Sequence, residues 1–99
     1  MTSSTNQRST AVLDPRQARK IEQFFGTEAM LHYFLSLLNY PEYIYIFEKE
    51  KIGFCELAFL DERKLQSLGI PHGPSIRIIY EAQQYFISLL TLKSNETDV

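Results

Sequence analysis

Few side chains in this sequence have types that do chemistry. There are two histidines, His32 and His72, one cysteine, Cys55, and two short acidic runs, Glu48/Glu50 and Asp61/Glu62. Histidine and cysteine can ligate a metal or form an activated nucleophile, but only with partners at close spacing. Here the histidines lie far apart in the chain, and no His/Cys set has metal-ligand spacing. Cys55 sits in the apolar run Gly53-Phe54-Cys55-Glu56-Leu57 with no basic neighbour, so a buried structural thiol is expected. A lone cysteine excludes an internal disulfide. His32 falls mid-helix beside core residues and reads as a structural or surface histidine, and His72 falls in a loop as a small polar group. The acidic runs read most simply as solvated faces. With no phosphate loop, nucleophile elbow or dinucleotide fingerprint, the sequence points away from catalysis and implies no cofactor or metal.

The remaining evidence is bulk. Ninety-nine residues suit one domain, and 44% apolar residues with six Tyr and seven Phe supply a globular core. The formal net charge of −2 gives no basic field to attract nucleic acid. No apolar run approaches the ~20 residues of a membrane span, and residues 1–10 are too polar for a signal peptide. A cytoplasmic setting, with the nucleus as alternative, is the default expectation. The sequon Asn95-Glu96-Thr97 carries no meaning without secretion.

Helical signals position these residues. Residues 1–10 are polar, and 1–12 read as a disordered tail. Asp14-Pro15 is a helix start, Asp as N-cap and Pro in the first turn. The helix that follows, within 13–26, places Ala18, Ile21 and Phe25 on one face and stops at Gly26. Thr27 is the expected cap of the next, which carries Leu31, Phe34, Leu35 and Leu38. Asn39-Tyr40-Pro41 breaks it, and a third helix spans roughly 41–50. Tyr43-Ile44-Tyr45-Ile46 has strand propensity, but no partner strand is signalled anywhere. Short helical turns are expected at 54–59 and 61–67, the second capped by Asp61. After Ile70-Pro71-His72-Gly73-Pro74 the longest helix runs to about 92, leaving 93–99 as a tail. That helix has two apolar stripes, Ile76/Ile79/Tyr80/Phe86/Ile87/Leu90 and Ile78/Ala82/Tyr85/Leu89/Leu92, and both must be covered. One meets the core. The other meets Ala18, Ile21 and Phe25, or a second copy of the chain.

The spacing of Phe34-Leu35, Leu38, Tyr43, Phe47, Ile52, Leu57, Leu60 and Leu65, closed by Leu68-Gly69-Ile70 and Gly73, resembles the SAM (sterile alpha motif) family over about residues 27–91. The implied fold is all-α, a five-helix bundle (domain 27–92) with a long C-terminal helix and here an extra N-terminal helix. Leu68 and Ile70 would plug the core, with Gly69 allowing the chain reversal. The sequence departs from the pattern in three ways. Phe24 or Phe25 must serve for the opening Trp, the turn after Ile70 is one residue short, and the last helix begins with a single Arg.

The resemblance implies a protein–protein interaction module, a scaffold or adaptor whose partner is another SAM domain, homo or hetero. SAM domains commonly pair head to tail, through a contact that can propagate. Mapped here, the mid-surface is Glu48, Glu50, Glu56, Asp61 and Glu62, and the end-helix surface is Lys64, His72, Gly73, Ser75 and Arg77. The alternatives are a homodimer through Ile78, Tyr85, Leu89 and Leu92, and an RNA-binding domain, which the missing basic cluster disfavours. The ending Thr97-Asp98-Val99 resembles a PDZ-domain ligand, docking by strand addition if Val99 is the natural terminus.

Overall fold

The computed structural model describes residues 13–97, with side chains to Leu90. The expected tail at 1–12, together with Asp98 and Val99, lies outside the described residues. Those described are all-helical, without a strand. The order is α1 (Pro15–Phe25), α2 (Thr27–Leu37), a 3₁₀ turn at Pro41–Tyr43, α3 (Ile44–Lys49), a 3₁₀ turn at Cys55–Phe59, α4 (Glu62–Ser67) and α5 (His72–Thr97).

Local codes set most of these boundaries. The Asp14 carboxylate accepts from the Arg16 amide at 3.1 Å, with Pro15 opening α1. Gly26, at φ 96°, closes α1 and turns the chain directly into α2. That one-residue corner overturns the expected Thr27 cap. Gly26 itself takes the N-cap position with no side-chain bond, and Thr27 is already helical. Asn39, at φ 70°, ends α2, as its short polar side chain tolerates. Asp61 caps α4 by accepting from the Lys64 amide at 3.0 Å. Gly69, at φ 101°, reverses the chain into α5.

The core gathers every element. Leu31, Phe34 and Leu35 of α2, Phe47 of α3, Leu57 of the second 3₁₀ turn, Leu65 of α4, Ile70, and Ile78, Ala82 and Tyr85 of α5 are all buried. Leu68 packs half-buried against them. Phe54 is the hub of the aromatic packing. Its ring lies 5.0 Å from Phe34 and 5.1 Å from Tyr85, both edge-on, and 5.4 Å from Phe86, stacked. Edge-to-face pairs at this separation each add about 0.5–1.5 kcal/mol beyond burial.

Helix α1 packs on α2 and α5, and its grip differs from expectation. Ala18 and the preceding Leu13 are buried, Ile21 is half-buried, and Phe24 and Phe25 are three-quarters exposed. The tight corner at Gly26 leaves both aromatics outside, so neither fills the family's opening aromatic position. Ile78 and Tyr85 share the core with Ala18 and Leu13, and Leu89 is half-buried. This removes the proposed homodimer face of Ile78, Tyr85, Leu89 and Leu92, whose first two members are inaccessible to a second copy. The side chain of Leu92 lies outside those described.

Candidate functional site

An open cleft of about 410 Å³ lies between the start of α2, the end of α3 and the turn leading to Cys55. Leu31, Phe47 and Ile52 form its apolar floor. Glu28, His32, Glu48, Lys51 and Glu56 stand around it. Helical spacing explains the floor and rim on α2: Leu31 points inward, while Glu28 and His32, one turn apart, share the outer edge. His32 Nε2 lies 2.7 Å from Glu48 Oε2, joining α2 to α3 across the rim. Glu56 accepts from the Gly53 amide at 2.8 Å, which fixes the turn entering the second 3₁₀ segment. A Cβ on Gly53 would meet that same carboxylate oxygen at 2.8 Å.

The cleft therefore unites two of the five expected mid-surface acids, Glu48 and Glu56. Glu50 is exposed just after α3, while Asp61 serves as the α4 cap and Glu62 is half-buried in that helix's first turn. Sequence reasoning missed Glu28, His32 and Lys51. The signal was the i, i+4 pair Glu28/His32 on the polar edge of α2.

The end-helix residues separate. Lys64 and Gly73 are exposed. His72 Nδ1 lies 3.0 Å from the Gln66 amide nitrogen, tying the start of α5 to α4. Arg77 Nε donates to Glu81 Oε2 at 3.3 Å, one turn on, and Glu81 is buried. Ser75 is not a surface residue. It is fully buried, its hydroxyl donates to the Ile70 carbonyl at 3.1 Å, and it secures the chain reversal. Its place on the stripe Ser75-Ile78-Ile79-Ala82 puts it in the core despite its polarity.

Cys55 corrects another expectation, because it is exposed. In a 3₁₀ turn, residues three apart eclipse, so Phe54 and Leu57 face inward and Cys55 turns out. Partial burial beside a small cavity that it shares with Tyr85 and Phe86 pushes its thiol pKa up, with Glu22 and Glu56 adding to the shift. Tyr85 is raised as well, first by burial, then by Glu22 and Cys55, with Arg19 opposing. The raised thiol pKa suits an inert cysteine at neutral pH.

Among the described residues no group of three His, Cys, Asp or Glu could hold a metal ion, and no helix is long and apolar enough to cross a membrane. Helix α5 runs to Thr97, beyond the expected end near 92. Thr97 is the last residue of α5, and Asp98 and Val99 lie outside the described residues.

The strand-free bundle of short helices closed by a long C-terminal helix defines, for the described residues, the all-α class expected from the sequence. The chain is a member of the SAM (sterile alpha motif) family, whose SAM_2 domain model matches residues 27–85, more than half of the chain. It is similar to mouse triacylglycerol hydrolase DDHD2, 35% identical over 66 residues. The match takes in 65% of this chain and 9% of that much longer protein. No solved structure gives a significant match.

Proposed function

We propose that this domain is an adaptor that recruits another SAM domain, using the α2–α3 cleft as its main contact. One observation carries the reading: Glu28, Glu48 and Glu56 stand around an apolar floor, against Lys51 and His32. Such a rim suits a basic partner surface, and the floor gives an apolar side chain somewhere to go. Glu50, exposed just after α3, adds to the acidic field.

The reverse surface is weaker. His72, Gly73 and Arg77 lie in the first turns of α5, whose free N–H groups favour anions. Arg77, however, is already engaged by Glu81. This supports a hetero-partner with a more basic end-helix over long homopolymers. A cytoplasmic setting fits this role. The hydrolase activity in the name of the mouse relative is not extended to this chain.

The test is calorimetric titration with a SAM domain that carries a basic end-helix. Glu48→Arg should weaken binding at least about tenfold, equivalent to ~1.4 kcal/mol, and Arg77→Glu should change it little. Equal binding by the Glu48→Arg variant would remove the cleft from the interface.

A further inference from the structure

Helix α5 carries an exposed apolar stripe that neither the core nor the proposed SAM contact uses. Ile76, Tyr80, Ile87 and Leu90 are 43%, 48%, 56% and 68% exposed, and exposed Gln83 lies between them. Their spacing of 4, 3, 4 and 3 residues is that of a coiled-coil seam. No charge falls within it, and Arg77, next to Ile76, is paired with Glu81 at 3.3 Å.

We propose that a second copy of this chain docks on this stripe, α5 against α5, in a weak twofold dimer. Three observations favour a like copy. First, the stripe is uncharged, so it neither repels itself nor selects a partner of opposite sign. Second, the central Gln83 is self-complementary, because its amide both donates and accepts and can pair with its own image across a twofold axis. Polar residues at such seam positions fix register. Third, the area suits such a pair. Each copy offers roughly 400–500 Å², so the pair buries on the order of 1,000 Å², the lower end for a specific interface. The cleft at α2–α3 is lined by no α5 residue, so the dimer presents two clefts at once and doubles the local density of partner sites.

The experiment is sedimentation velocity on the whole chain from about 10 µM to about 1 mM, spanning the affinity expected of so small an interface. The wild type should shift from monomer to dimer across this range. The Tyr80→Lys/Leu90→Lys variant should stay monomeric, with unchanged far-ultraviolet circular dichroism. If the double variant unfolds, Leu90→Lys alone, at the most exposed position, should weaken association at least about tenfold. Arg77→Glu should leave the dimer intact. A wild type that is monomeric throughout, a dimer that survives Leu90→Lys unchanged, or one dissociated by Arg77→Glu instead would each overturn the proposal. The last result would place self-association at the end-helix surface.

Discussion

His32 Nε2 and Glu48 Oε2 meet at 2.7 Å across sixteen residues of sequence, joining α2 to α3 on the cleft rim. Both side chains are nearly half exposed, so water screens the contact, and it stabilises the fold by less than about 1 kcal/mol. Its consequence is for binding. His32→Ala should shift the urea unfolding midpoint only slightly, yet leave Glu48 free to meet a cationic partner. Affinity for a basic SAM partner should then hold or rise. A large loss of stability would show that the pair carries structure instead.

Ser75 and Phe34 give the opposite pattern, large effects on folding and none on recognition. Ser75→Ala removes the donor to the Ile70 carbonyl and leaves that acceptor without this partner, at a cost of about 1–3 kcal/mol. Phe34→Ala opens a cavity beside Phe54 and should cost about 3–5 kcal/mol, much of the stability of a domain this size. Urea denaturation reads both. A Ser75→Ala variant of full stability and weakened partner binding would return Ser75 to the surface role first expected of it.

Alkaline titration provides a third test. Folding raises the pKa of Cys55 and of Tyr85, so the folded state holds protons that the unfolded chain releases. The stability from this source is complete below the ordinary thiol value of 9.0 and is lost as pH climbs through the raised values. Stability measured from pH 7 to pH 11 should therefore fall on the alkaline side, and less steeply in Cys55→Ser and Tyr85→Phe. At pH 8 Cys55 should react with Ellman's reagent more slowly than a free thiol, and Glu22→Gln should speed it about two- to fivefold by removing a repelling charge. A rate unaffected by Glu22→Gln would assign the shift to burial and Glu56.

The legible parts of the fold were those written in local code. Asp14-Pro15, Gly26, Asp61 and Leu68-Gly69-Ile70 act through backbone geometry within a few residues, and the structure uses each to start, stop or turn a helix. The misread positions depend on how finished elements rotate against each other. The apolar neighbours of Cys55 point it inward, but a 3₁₀ turn advances each residue by a third of a circle and swings it out. The polarity of Ser75 points it outward, although its helical spacing to Ile78, Ile79 and Ala82 puts it in the core. Phe25 continued the stripe of Ala18 and Ile21 on paper, yet the corner at Gly26 carries it past the surface that would receive it. At the candidate site, Glu48 and Glu56 were found by charge. Their neighbour His32 required the tertiary packing of α2 on α3.

Leu13 sits just ahead of the first helix, 1% exposed, in the same interior as Ile78 and Tyr85. The family match begins only at residue 27, so a clone trimmed to that boundary would lose Leu13 and Ala18 and strip the lining from one side of α5. Helix α1 is accordingly a wall of the building and not a porch. The shortest fragment expected to fold must start upstream of Leu13.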